Sequence, residues 1–289
     1  MKLARAGDTW FVISDAAAVD VTDLLAPLAR RSWSFLCERF ESLRIELESA
    51  CASRTHIDID QRSLDAPVVS PSKIIGILGN DISRMPATGG PADHKIDVLL
   101  DFFLKSPSSL IGSSGSVLLP QLDGSAAQGR VVPECELAVL IGRGGENLAV
   151  DAVSDHILGY TIGLDLTARG EGERSRRKSL ATFCPVGPWI VTRDELGDDR
   201  RLDVKLWVNG TVHQDWSTSH MVFPVMEVVS WVSRSVRLEP GDLILTGAPQ
   251  MTRVLESGDL LHAEIDGIGA LEIDVADSAL LQGGVSDGV

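Results

Sequence analysis

The sequence predicts a mostly β (α+β) protein whose body is a mixed sheet or sandwich folded on itself, preceded by a small N-terminal α+β domain. Three observations carry that expectation. Short apolar runs recur from residue 99 onward between turn signals such as Pro240-Gly241-Asp242, Ser257-Gly258-Asp259 and Asp266-Gly267-Ile268-Gly269. Helical periodicity is confined to a few stretches. A Pro/Ser segment, Ala66-Pro67-Val68-Val69-Ser70-Pro71-Ser72, behaves as a linker and divides residues 1–68 from residues 69–289.

In chain order, alternating stretches at 10–13 and 18–21 predict strands, and Asp23 is placed to cap a helix that continues in pieces toward Cys51. Trp33, Leu36, Cys37, Phe40, Leu43 and Leu47 repeat at helical spacing and define its buried face. Residues 73–78 form an apolar strand, and residues 80–95, rich in Gly, Pro and polar side chains, are expected to form a lid. Strands follow at 117–119, 136–141, 189–192, 204–208, 243–246 and 260–265, with Asn209-Gly210 as a hairpin turn. Helices are expected at 150–157 and 223–235, the latter with Val225, Val228, Val229 and Val232 on one face.

The 289 residues are ample for a real core. With 26 basic and 41 acidic residues the net charge is -15, which argues against nucleic acid or an anionic membrane as a general partner. A small-molecule anionic substrate would then need a local positive site or a metal. No apolar run approaches a membrane span and the N-terminus lacks the apolar region of a secretory signal, so the expected setting is cytoplasmic. Cys37, Cys51, Cys135 and Cys184 show no zinc-like spacing and are expected to be reduced thiols.

The informative residues are carboxylates. Glu134 and Glu136 stand two apart in an apolar run, so on a strand they share a face, roughly 6 to 7 Å apart along the chain. Asp165 sits in a second run, 160–166, which can pair beside the first and bring a third oxygen to the same point. Carboxylates without His or Cys favour a hard cation, Mg2+, Mn2+ or Ca2+, over Zn2+. A half-exposed strand with its acids in water gives the same spacing, so the pattern alone leaves both readings open.

The motifs FFLKSPSSLIG (102–112), ECELAVLIGR (134–143), GYTIGLDLTAR (159–169), KSLATFCPVGPWIVTRDEL (178–196), LWVNG (206–210), LEPGDLILTGAP (238–249) and EIDGIGALE (264–272) occur in this order. In them, from about residue 73 to 275, the chain resembles the fumarylacetoacetate hydrolase (FAH) family of metal-dependent carbon-carbon hydrolases, decarboxylases, isomerases and tautomerases. The resemblance implies an FAH-type mixed β-sandwich roll, a homodimer, and Glu134, Glu136 and Asp165 as ligands of Mg2+ or Mn2+. It also implies a catalytic role for Lys178 and a substrate-binding role for Thr246 and Gly247. Each role has a physical basis: a Lewis acid and a nearby ammonium stabilise an enolate, and a strand-end hydroxyl with following amides can hold a carboxylate. Without the resemblance, the basic triplet Arg176-Arg177-Lys178 is a solvated surface and Thr246 a turn residue.

The chain departs from the family pattern in three places. Hydrolytic members carry N-Y-x-x-H-x-x-E after the first strand, the His and Glu activating water; here Asn80 is kept, but Asp81, Arg84 and Ala87 stand for Tyr, His and Glu. A guanidinium with a pKa above about 12 is no general base near neutral pH, although it can clamp a carboxylate, so Arg84 is a candidate for substrate binding and catalysis. His94, flanked by Asp93 and Asp97, is the candidate relocated base, with a solvent-facing loop His as its plain alternative. Gly172 replaces a Gln seven residues past Asp165, and Ala248 replaces a second Thr.

The expectation is therefore a divalent-metal enzyme acting on a 2-oxo acid or β-dicarbonyl compound through a metal-bound enolate, with carbon-carbon hydrolysis or lysis as the family default. Decarboxylation, dehydration or keto-enol tautomerisation fits the missing dyad at least as well. A retained fold that binds a ligand without catalysis is the third reading, opposed by three intact acids that would repel one another without a metal.

Overall fold

In a computed structural model the residues described are 1–14, 17–84, 100–120, 130–170 and 172–278, of Arg84 the backbone alone. The apolar runs become strands of two large sheets. The larger runs in the order His56–Ile57, Ala17–Asp20, Thr9–Ser14, Lys2–Ala6, Cys184–Thr192, Ile157–Leu164, Cys135–Ile141, Leu243–Leu245, Ile74–Leu78 and Asp101–Lys105, with Leu110–Ile111 beside Cys184–Thr192. The second consists of Thr211–Ser217, Asp203–Val208, Leu260–Ile265, Gly269–Asp277 and Ser116–Leu119. A two-stranded ribbon pairs Val131–Val132 with Thr167–Ala168. Most pairs are antiparallel, but Leu243–Leu245 runs parallel to Ile74–Leu78, and Gly269–Asp277 parallel to Ser116–Leu119, which makes both sheets mixed.

Burial explains the uninterrupted apolar run at the centre. In Cys135–Ile141 every residue is buried. Cys135, Leu137, Val139 and Ile141 pack in one cluster with Val204, Leu206, Leu261, Ala263 and Leu271 of the second sheet. Ala138 and Leu140 face the other way, into a cluster with Ile190, Leu243, Leu245 and the helical residues Trp33, Leu36, Phe40 and Leu47. A strand covered on both faces has no polar phase to show. The Trp33 indole closes this second layer by donating to the Gly241 carbonyl at 3.0 Å, and a side chain at Gly241 would meet that ring.

Several expected elements appear where the pattern put them. The helix Val225–Ser235 follows Pro224 and buries Val225, Val228, Val229 and Val232. Asn209 and Gly210 take positive φ values of 52° and 77° at the hairpin between Asp203–Val208 and Thr211–Ser217, the geometry of a type I′ turn. Others differ. The expected helix at 150–157 is only a 3-10 turn, Val153–His156, because Ile157 already begins the strand Ile157–Leu164. Asp23 does not cap its helix: Thr22–Arg31 starts at Thr22 without a side-chain cap, and Asp23 pairs with Arg54 at 2.6 Å. The N-terminal strands extend the large sheet, since Lys2 and Leu3 pair with Val191 and Ile190.

Candidate metal centre

The three acids converge because of strand register. Cys135 pairs with Leu164 and Glu136 with Gly163, and the same register continues one step outward, where Glu134 and Asp165 exchange backbone hydrogen bonds of 3.1 and 2.8 Å. Directly opposed residues of an antiparallel pair share a face. Glu134, Glu136 and Asp165 therefore lie together on the face that also carries Ala138. One carboxylate oxygen from each falls within 4.8 Å of the others. Packing opposite Glu136 is tight at Gly163: a Cβ there would come within 2.4 Å of Leu245 Cδ2 and 3.2 Å of Ala138 Cβ, so Leu245 would have to shift.

Two lysines surround Asp165. Lys178, at the end of the short helix Arg174–Lys178, is buried and donates to Asp165 Oδ2; its Nζ lies 3.7 Å from Glu134 Oε2 and 4.5 Å from the centroid of the Phe103 ring. The basic triplet thus divides by helix geometry: Arg176 is exposed and Lys178 turns inward. Lys105, which sequence reasoning overlooked, is buried on the strand Asp101–Lys105 and donates to Asp165 Oδ1 at 2.7 Å and to the Leu166 carbonyl at 3.3 Å. Its signal was strand parity, since Phe103 and Lys105 occupy the same inward phase of FFLKS.

Thr246 and Gly247 adjoin the cage on its other side. The Thr246 hydroxyl donates to the Leu137 carbonyl at 2.9 Å, and the Gly247 amide donates to Glu136 Oε2 at 2.6 Å. Gly247 has a φ of +92°, and a Cβ there would lie 3.1 Å from Asn80 Cβ. Asn80 fastens the chain after the strand Ile74–Leu78 by donating to the carbonyls of Thr246 and Phe223 and accepting from the Phe223 amide. Asp81 is buried, one oxygen accepting from the Ser83 amide at 2.8 Å. Arg84 closes the 3-10 turn Ile82–Arg84, its side chain outside the described residues, as is all of His94.

The electrostatics of the cage are asymmetric. Burial, followed by the charges of Asp165 and Glu134, pushes the Glu136 carboxyl well above its ordinary range. Burial would raise Asp165 too, but Lys105 and Lys178 outweigh it and hold that carboxyl low. Burial likewise pushes the neighbouring Cys184 thiol up to about 12, so it is no thiolate ligand near neutrality. An all-oxygen donor set of three carboxylates fits a hard divalent cation such as Mg2+ or Mn2+.

Comparison with known proteins agrees with this arrangement. Residues 73–276 match the family model of the fumarylacetoacetate hydrolase C-terminal domain. A maleylpyruvate hydrolase of Aquipseudomonas alcaligenes is 32% identical over 289 aligned residues, covering 95% of this chain and 99% of the relative. The mitochondrial oxaloacetate tautomerase of Xenopus laevis is 34% identical, over 81% of this chain and 75% of its own. The crystal structure of maleylpyruvate hydrolase from Sphingobium sp. SYK-6, in complex with manganese(II) and pyruvate, superposes with a TM-score of 0.83 at 34% identity, covering 96% and 99% of the two chains.

Proposed function

The chain belongs to the fumarylacetoacetate hydrolase family, and on that premise we propose that it is a divalent-metal-dependent enzyme that cleaves a carbon-carbon bond in an acylpyruvate-type 2-oxo acid. The observation that carries this reading is the buried cage of Glu134, Glu136 and Asp165 with two lysines on Asp165. Mg2+ or Mn2+ held by those three residues would supply a Lewis acid for the carboxylate and keto oxygens of the substrate. The relatives named maleylpyruvate hydrolase match 95 and 96% of this chain, and one was crystallised with manganese and pyruvate.

The chain's own residues have distinct parts in this proposal. Lys178 sets a fixed ammonium beside the cage, where negative charge develops on the substrate's keto oxygen as a proton leaves C3. Lys105 holds the other oxygen of Asp165, so that carboxylate is oriented before any ligand arrives. Gly247 orients Glu136 in the same way. Arg84 and Thr246, the latter on turning its hydroxyl away from the Leu137 carbonyl, are proposed contacts for substrate carboxylates, and His94 a proposed base. The homodimer implied by the family is part of the proposal and is checked by light scattering on the purified protein.

A second reading, keto-enol tautomerisation, is favoured by one specific feature. Arg84 and Ala87 stand where hydrolytic members carry the water-activating His and Glu. Enolate formation requires the cage and a cation; attack by water needs a positioned base as well, worth about 100 to 10,000-fold in rate. Incubation with Mn2+ and a panel of acylpyruvates, maleylpyruvate and oxaloacetate, followed by NMR, separates the two. Release of pyruvate from an acylpyruvate supports hydrolysis. Enol-keto exchange of oxaloacetate without cleavage of any panel member supports the tautomerase, and no change in any compound would defeat both.

A further inference from the structure

Among the described residues only three buried side-chain polar atoms lack a hydrogen-bond partner: Asp81 Oδ2, Thr167 Oγ1 and Trp216 Nε1. A buried hydroxyl without a partner disfavours the folded state, and valine would fill the same space on a strand without that cost. Thr167 is therefore the wrong residue for a purely structural position. It is 8% exposed and stands two residues beyond Asp165.

Register fixes where Thr167 points. It pairs with Val132, Glu134 pairs with Asp165 through mutual backbone bonds, and Glu136 pairs with Gly163, all in one continuous antiparallel register. Leu164, Leu166 and Ala168 belong to the core cluster shared with the second sheet, so the intervening Asp165 and Thr167 face the other way. Along that face the order is Gly247 with Glu136, then Glu134 with Asp165, then Thr167 with Val132. One pleat repeat, roughly 6 to 7 Å, separates Thr167 from the metal-ligating acid.

We propose that Thr167 is a specificity-determining residue whose hydroxyl donates to an oxygen on C4 of the bound 2-oxo acid. The assignment rests on the proposed function: C1 and C2 are held at the cage, with the carboxylate at the Glu136 end of this face, so the rest of the substrate extends toward Thr167. An oxygen at C4, ketone or carboxylate, is what distinguishes 2,4-dioxo acids and four-carbon oxo diacids from pyruvate itself. Val132 opposite supplies an apolar wall for the carbon chain. The Thr167 hydroxyl makes no hydrogen bond to Asp165, whose two oxygens accept from Lys105 and Lys178.

The test uses the full chain loaded with Mn2+ and two probes, measured by titration calorimetry. Oxamate mimics pyruvate and lacks the C4 oxygen; N-acetyloxamate carries it, with an NH in place of the C3 methylene. Wild type should bind N-acetyloxamate more tightly than oxamate. Thr167→Val should weaken N-acetyloxamate by about tenfold, the worth of one hydrogen bond, and leave oxamate within about twofold. Its melting temperature should be unchanged or raised, which no structural role would give. Thr167→Ser should restore the wild-type difference, and Thr167→Ala should show the same split as valine. Equal affinity of Thr167→Val and wild type for both probes, or equal weakening of both, overturns the assignment alone. Failure of the wild type to bind either probe overturns the metal-site reading, and the assignment with it.

Discussion

Two charge clusters in this protein share one sequence pattern and differ in everything that follows from burial. At the cage, Glu134 and Glu136 stand two apart and Asp165 lies opposite Glu134 on the neighbouring strand. On the second sheet, His262 and Glu264 stand two apart and Glu272 lies opposite His262. There the histidine bonds both acids, at 2.9 Å to Glu264 and 3.0 Å to Glu272, Arg62 reaches Asp274 and Glu272, and Trp207 meets the imidazole edge-on at 5.2 Å. The second cluster is solvated and carries its own cation. The first is largely buried, and both of its lysines reach Asp165. Spacing brings side chains together; burial decides whether they need a metal.

The largest expected effect comes from the cage's own cation. Lys178→Met should reduce turnover by about 100-fold or more, as for loss of one transition-state donor, while Mn2+ is still bound; steady-state kinetics with metal analysis checks it. Lys105→Met breaks a fully buried ion pair and should cost about 3–5 kcal/mol in urea unfolding. A cost below about 1 kcal/mol would place that pair with the solvated ones and erase the contrast.

Metal binding itself should depend on pH in a stated direction. Burial and like charges raise Glu136 in the folded state, so its contribution to stability is present below its ordinary value of 4.5 and is lost as pH rises through the folded pKa. A divalent ion competes with that proton. Mn2+ should therefore raise the melting temperature more at pH 8 than at pH 5.5, with up to about 2.7 kcal/mol of stabilisation at a hundredfold excess over Kd. The reverse order, checked by differential scanning fluorimetry, would contradict the buried-charge argument.

The smallest effect belongs to the exposed cluster. Burial opposes protonation of His262, but the bonds to Glu264 and Glu272 outweigh it and raise its pKa. Its stabilisation is present below 6.5 and lost as pH rises past the folded value. His262→Gln should change unfolding free energy by less than about 1 kcal/mol, and that difference should vanish by pH 9.

Legibility in the sequence followed the same line. The strand phase of Glu134 and Glu136, the partner run holding Asp165, and the turns at Asn209-Gly210 and Pro240-Gly241-Asp242 depend on local spacing, and all were readable. Lys105 and the inward turn of Lys178 were not visible from composition, because a lysine is expected in water until a buried acid is known to face it. Thr167 shows nothing unusual until the register places its hydroxyl beside the cage without a partner. The supposed helix at 150–157 failed because Ile157 already belongs to the strand Ile157–Leu164, which leaves only the 3-10 turn Val153–His156 before it. Asp23 failed as a cap because Arg54, distant in sequence, takes it.

The most direct test of the central claim is Mn2+ titration of the metal-free protein at pH 7.5, wild type against Glu136→Ala, with metal content read independently by elemental analysis. Wild type should bind one ion per chain, and Glu136→Ala should bind none at the same concentration while remaining folded by circular dichroism. Equal stoichiometry and affinity in the two proteins would show that the three acids are a buried charge cluster and not a metal site.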